Sequence, residues 1–272
     1  LQMGGCYQEL VTPESHLSDG MERIIGFDGI YAVADMTDKF LLYSLGFDTI
    51  DNFIPLVNYE NYQSISLDGR KLENKTRNEI GRVVINHPYQ LIAQGKEGTD
   101  TFSLAFTPFP IAHLISEETI RNDPKVLSWL KLQYNDPYRV QQGTQHFESY
   151  AGVEIRGQST RNYDKKQYGV ELWENIHEQD HSASLLGMRI GEDWFLDAMR
   201  TDDLRMRNKL AFEVWEKIVA LPEEDSHMDV FPGIQLEYVE LFINNRYEGI
   251  YCLGERFNER ILHYKPNQYE FG

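Results

Sequence analysis

Three short stretches carry residues whose types and spacing could do chemistry. The first is VEIRGQSTRNYDKKQYGVELW, residues 153–173. Val153 and Ile155 alternate on the way in, and Tyr168, Val170 and Leu172 alternate on the way out, so two strands flank a polar passage. That passage holds Arg156, Gly157, Ser159, Thr160, Arg161, Lys165 and Lys166 against only Glu154 and Asp164. Hydroxyls, backbone N–H groups and cations are what a phosphate needs. Gly157 lets the backbone turn or approach a ligand closely. The same composition also fits a hairpin tip whose charges are solvated.

The second stretch, DDLRMRNKLAFEVWEKIV, covers residues 202–219 and is the clearest helix signal. Asp202 or Thr201 can cap it. At 100° per residue, Leu204, Leu210, Ala211, Val214, Trp215, Ile218 and Val219 fall on one broad face, with Lys209, Glu213 and Lys217 opposite. Arg207 and Asn208 project onto the apolar face. A buried guanidinium needs an acidic or carbonyl partner, which predicts a polar network of Arg207 and Asn208 with Asp202 or Glu255. A helix that begins later would instead leave Arg207 and Asn208 at its rim.

The third stretch is HEQDH, residues 177–181. It matches H-E-x-x-H, in which His177 and His181, one helical turn apart, would bind zinc with Glu178 as the base. Asp180 departs from the uncharged residues usual there, no further histidine continues the motif, and a third ligand would have to be Glu192 or a more distant acid. A polar loop with two exposed histidines fits the same residues.

The elements that must position these groups occupy a chain of 272 residues, 41% hydrophobic, with a formal charge of −17. That is ample for a core. Such acidity disfavours nucleic acid and anionic lipid as partners, and no apolar run is long enough to span a membrane as a helix. Residues 1–20 read as a polar tail. LQMGGC has the form of the end of a lipoprotein signal with Cys6 as the lipidated residue, or of an ordinary N-terminal tail. GIYAVA, FLLYSLG, RVVINHPYQLIA and TFSLAFTPF predict a β-rich, sandwich-like domain over residues 21–108. Residues 116–128 contain a short helix start. In YVELFINNRYEGIYCLGE, Asn244-Asn245 suits a type I′ hairpin turn.

Four motifs in order, RGQSTRNYDKKQY, SLLGMRIGEDWFL, DLRMRN preceded by Asp202, and FINNRYEGIYCLGE, resemble the CotH family of atypical secreted or surface protein kinases. The likeness spans about residues 105–272, with Asn245 in place of the usual turn glycine. It implies an α+β fold: the β-rich domain, then over residues 109–272 a kinase-like N-lobe of antiparallel hairpins packed on a helix. It further implies ATP and Mg²⁺ as cofactors and phosphorylation of Ser or Thr in a surface or secreted protein. RGQSTR would cover the phosphates, Lys165 would contact one, and Glu255 would lie near a hinge. Glu213, on the solvated face, is not an obvious partner for Lys165. The resemblance places the catalytic base and metal-binding acids after Gly272, so the chain is expected to lack phosphotransfer activity by itself. EFG near the end reads as coincidence. Two other classes fit particular features: a non-catalytic surface-binding or adhesion module, and a zinc hydrolase centred on His177 and His181.

Overall fold

The computed structural model describes residues 23–134, 146–219 and 233–256. The tail with Cys6, most of the acidic loop after the helix, and the closing EFG lie outside the described residues.

Twelve strands form the first region. They are β1 (Gly26–Phe27), β2 (Ile30–Tyr31), β3 (Val33–Asp35), β4 (Phe40–Ser44), β5 (Thr49–Phe53), β6 (Leu56–Asn58), β7 (Ser64–Leu67), β8 (Arg70–Leu72), β9 (Thr76–Arg77), β10 (Gly81–Val84), β11 (Tyr89–Gln94) and β12 (Thr99–Thr107). Six make one sheet in the order β3-β4-β12-β11-β7-β8, beside a four-stranded and a two-stranded sheet. Alternation in β11 buries Tyr89, Leu91 and Ala93 and exposes Gln90 and Gln94. Phe106 anchors the core, its ring 5.4–6.1 Å from those of Phe27, Tyr43, Phe53 and Tyr89.

The second region adds β13 (Ile111–Ile115), β14 (Val126–Gln133), β15 (His146–Arg156), β16 (Gln167–Trp173), β17 (Asp193–Asp197), the helix α1 (Arg207–Val219), β18 (Leu236–Ile243) and β19 (Arg246–Glu255). Its seven strands close into a barrel, β13-β14-β15-β16-β17-β19-β18, sealed by parallel pairing of β13 with β18. Leu130, Leu132, Val153, Leu172, Trp194, Leu241 and Leu253 fill the interior. Gly152 makes room for Trp173: a Cβ there would sit 2.1 Å from the indole. A Gly152→Ala chain is therefore expected to lose about 1–3 kcal/mol through overpacking, read as a lower denaturant midpoint.

The expected α+β fold, with hairpins resting on a helix, is overturned. The described residues are β-rich and contain one α-helix, outside a closed barrel. A sheet that closes on itself buries its own apolar face and needs no helix to cover it. α1 accordingly turns the unexpected side inward. Lys209 and Phe212 are the half-buried residues among its described side chains, the Lys209 Nζ donating to the Leu236 carbonyl, while Leu210, Val214, Trp215 and Ile218 are 44–54% exposed.

The helix start in residues 116–128 is also corrected: no helix forms there, and β14 begins at Val126. Pro124 disfavours helical backbone in the residue before it. The hairpin of β18 and β19 does form, with Ile243 opposite Arg246. Its turn is not type I′, because Asn244 adopts φ 53° while Asn245 does not enter the left-handed region. The tip is tied down instead: Asn244 N donates to Leu114 O, Ser116 N to Asn244 Oδ1, and Met36 N to Asn245 O.

Two main clusters of buried apolar residues lie within 24–106 and 112–253. Val33 and Leu42 of the first region meet Ile111 and Phe242 of the second. Buried Glu240 ties them further by accepting from Thr107 Oγ1 (3.0 Å) and Tyr247 OH (2.5 Å). Among the described residues, no helix is long and apolar enough to cross a membrane.

Candidate functional site

The chemistry-bearing loop sits at the end of the β15–β16 hairpin, whose last pair is Arg156 with Gln167. Gly157 follows at φ +95°, and a 3-10 turn spans Thr160–Asn162 with Ser159 at its N-cap. A Cβ on Gly157 would lie 1.9 Å from Thr160 Oγ1, so only glycine admits that hydroxyl against the backbone. Thr160 Oγ1 is buried and has no hydrogen-bond partner among the described residues. Gly157 and Ser159 are exposed.

Lys165 returns the loop to the barrel. Its Nζ donates to the Ile250 carbonyl and lies 4.2 Å from the centroid of the Tyr251 ring, a cation–π contact. Gly249 packs beside the amine, where a Cβ would merely touch Nζ at 3.7 Å; its φ of +89° is what calls for glycine. Burial, followed by the charge of Arg205, pulls the Lys165 amine down to about 8, against opposing contributions from Glu240, Glu248 and Asp197. Burial also raises the Glu248 carboxyl above its ordinary value. Glu248 thus joins Glu240 and Asp197 as acidic groups that act on Lys165. The helix residue Glu213 instead pairs with Lys209 at 2.9 Å. A lysine titrating near 8 is a free amine far more often at neutral pH than one titrating near 10.4. Brief acetylation at pH 8 is expected to modify Lys165 ahead of the exposed Lys71, as read by peptide mass spectrometry. Equal labelling of the two would contradict that environment.

Arg156 and Lys166, two other cations of the loop, have structural engagements. The Arg156 guanidinium lies 4.7 Å from the Phe195 ring centroid, and burial followed by the charge of Arg256 lowers its pKa. Lys166 Nζ donates to the carbonyls of Arg161 and Tyr163. Arg200 Nε donates to Asp164 at 2.8 Å, a pairing that holds the Asp164 carboxyl below its usual range.

Asp197, at the end of β17, was not singled out from the sequence, where WFLDA reads as a short apolar run. Its Oδ1 accepts from Gln167 Nε2 at 3.1 Å and from Met199 N at 2.9 Å, and its Oδ2 accepts from Asn208 Nδ2 at 3.1 Å. One carboxylate therefore joins the hairpin loop, β17 and the helix start. The signal available in DWFLD was its alternation, which puts the aspartates on the face opposite Trp194 and Leu196.

The predicted network at the helix start divides in two. Asp202 accepts from the backbone N–H groups of Leu204, Met206 and Arg207, and its carboxylate is 3.5 Å from the Arg207 guanidinium. The N–H bonds, that of Arg207 foremost, hold the Asp202 carboxyl below its usual range. α1 begins at Arg207, leaving Arg207 and Asn208 exposed at its rim. Glu255 is elsewhere, itself buried and paired with the partly exposed Arg189, which donates from Nε at 3.0 and 3.2 Å and also from Nη2. Arg189 was likewise passed over in the sequence.

HEQDH does not form the helical turn on which H-E-x-x-H depends. Glu178 has φ +61°, and the chain folds back so that His181 N donates to Leu172 O. His177 is exposed, while His181 Nδ1 is 2.9 Å from Ser149 Oγ and its ring stacks on Phe147. Among the described residues no three His, Cys, Asp or Glu side chains gather in a way that could hold a metal ion.

No curated protein matches the chain. β13 and β14 lie ahead of residues 153–270, which a family model matches, although the barrel cannot close without them. Residues 153–270 match the family model described as CotH kinase protein.

Proposed function

We propose that the CotH-like region binds ATP at the end of the β15–β16 hairpin, in a kinase that phosphorylates Ser or Thr of a surface or secreted protein. Lys165 carries this assignment. It occupies the motif position of the family's strand lysine and is half-buried at the end of the loop that opens with Gly157. An ammonium has three donors, and Ile250 O takes one, leaving two for phosphate oxygens. Gly157 and Ser159 offer exposed backbone and a hydroxyl, and the unpartnered Thr160 hydroxyl lies beside them. These groups fit a phosphate. ATP, when bound, supplies the phosphoryl group. Asp197 holds Gln167 and Asn208, and through them the base of the loop.

Among the described residues no donor set matches Mg²⁺. A protein phosphoacceptor and a location at the cell surface or outside the cell belong to the same proposal.

The test is ATP binding by the chain, read as a thermal shift. A ligand at 100 times its Kd stabilises a protein by about 2.7 kcal/mol, and a saturable rise in midpoint with ATP is expected. No shift at millimolar ATP would sink the proposal and favour a non-catalytic binding module.

A further inference from the structure

The segment that runs from the end of β17 to the start of α1 is tied to the Lys165 loop by polar links. Asp164, next to Lys165, accepts from Arg200 Nε at 2.8 Å. Asp197 joins Gln167 of β16 to Asn208 of α1. Between these anchors the chain turns at Arg205, whose φ of 54° is uncommon for a residue other than glycine, asparagine or aspartate. The turn is held on both sides: Arg205 N donates to Asp202 O at 2.9 Å, and Tyr238 OH donates to Arg205 O at 2.7 Å. Tyr238 lies opposite Cys252, two residues along β19 from Ile250, whose carbonyl holds the Lys165 amine. Arg205 is therefore pinned beside the same stretch of the barrel wall as Lys165.

The charges of this corner do not cancel. Arg200 is paired with Asp164, and Arg207 with Asp202. Arg205 is exposed, and neither it nor Lys165 forms an ion pair among the described residues. The acids nearby are already engaged: Asp197 accepts from Gln167, Met199 N and Asn208, Glu240 accepts from Thr107 and Tyr247, and Glu248 lies 3.6 Å from Arg246. The Arg205 charge acts on the Lys165 amine more strongly than any one of those acids does, and it also acts on the hydroxyls of Tyr247 and Tyr251 in β19. Two cations from separate segments thus converge without a counter-ion, in a chain of net charge −17. An anion between them replaces their repulsion with attraction to both.

We propose that Arg205 is a second phosphate-binding cation, gripping the phosphates of ATP from the α1 side while Lys165 contacts them from the loop. This inference rests on the ATP site proposed above. The two cations differ in what they offer. A guanidinium presents parallel donors that fit two oxygens of one phosphate, whereas an ammonium acts as a point charge. The Arg205 guanidinium is accessible, and its backbone is fixed by Asp202 and Tyr238, so the side chain alone has to be ordered when the phosphate arrives.

The experiment is calorimetric titration of the full chain with ATP. Arg205→Gln is expected to weaken binding about tenfold or more, the loss of one charge-assisted contact, and Arg205→Lys to recover part of it. Arg82→Gln, in the first region, removes the same charge and should bind ATP like the unaltered chain. A second readout needs no nucleotide: in Arg205→Gln the pH midpoint for acetylation of Lys165 should move up, because a neighbouring positive charge has gone. If Arg205→Gln fails to fold by circular dichroism, Arg205→Gly, which suits the left-handed backbone, serves in its place. Undiminished ATP binding by the Arg205 variant would overturn this inference and leave the Lys165 site standing, whereas no binding by the unaltered chain would overturn both. An equal loss in Arg82→Gln, or an unmoved Lys165 midpoint, would also overturn it, the first by reducing Arg205 to general charge and the second by separating the two cations.

Discussion

Lys165→Met is expected to abolish the thermal shift produced by ATP, because it removes a charge-assisted donor from the phosphates. The fold should survive. Methionine keeps the apolar stem that rests on the Tyr251 ring, and it discards a charge whose burial the protein resists. The melting temperature without ATP should therefore be unchanged or slightly higher. Lys166→Met is the matched control, since that amine is already spent on the carbonyls of Arg161 and Tyr163. The pH dependence separates a phosphate contact from mere support. The Lys165 amine is protonated below about 8 and loses its charge above it, so affinity for ATP should fall as pH rises through that value. Lys165→Met should lack this component. The same shift bears on stability. The amine's pKa is lower folded than unfolded, so between about 8 and the unfolded value the unfolded chain binds more protons, and this group's contribution to stability rises with pH. Unchanged ATP binding by Lys165→Met would remove Lys165 from the site.

Local chemistry was legible in the sequence where it depends on neighbours along the chain. The alternation of Tyr168, Val170 and Leu172 placed Lys165 just before a strand, and β16 begins at Gln167. Asp202 or Thr201 was read as the cap of a helix starting near 202; α1 starts later, at Arg207, but Asp202 does accept the N–H groups of Met206 and Arg207 at its start. Barrel closure was not legible. It rests on β13 pairing with β18, strands separated by most of the second region, and no local pattern encodes such a pairing. The same limit hid Asp197 and Arg189, whose partners Gln167, Asn208 and Glu255 come from other elements. The helix shows a different failure. Periodicity identified an amphipathic segment but not the side that docks. Lys209, assigned to solvent, lies against Leu236 and the ring of Tyr238, while Leu210 and Ile218 face outward. A lysine stem can cover apolar surface while its amine finds a carbonyl.

Arg189→Met should destabilise the fold by about 3 kcal/mol, the lower end of the range for breaking a buried pair. The lower end applies because the Arg189 side chain is 38% exposed whereas that of Glu255 is 6% exposed. Without the guanidinium, Glu255 keeps only the backbone N–H groups of Arg189 and Gln235, at 2.9 and 3.1 Å. The Gly233 carbonyl also loses its donor from Arg189 Nη2. A carboxylate with so little water and no counter-charge is costly, whereas removing both charges together is not. Arg189→Met combined with Glu255→Gln should therefore recover much of the loss, and the double-mutant cycle in guanidinium unfolding measures the coupling. Additive losses would show that the two side chains stabilise the fold independently. The position of the pair explains why so much depends on it. Arg189 lies in SLLGMRIGEDWFL and Glu255 ends FINNRYEGIYCLGE, while Asp197 links Gln167 of the hairpin loop to Asn208 of the helix start. Motifs far apart in the chain are thus joined by two polar links at the barrel wall. Loss of the Arg189–Glu255 link should loosen the end of β19, on which the Lys165 amine rests through Ile250. A weaker thermal response to ATP in Arg189→Met, restored in the double substitution, would show that the same pair supports both the fold and the site.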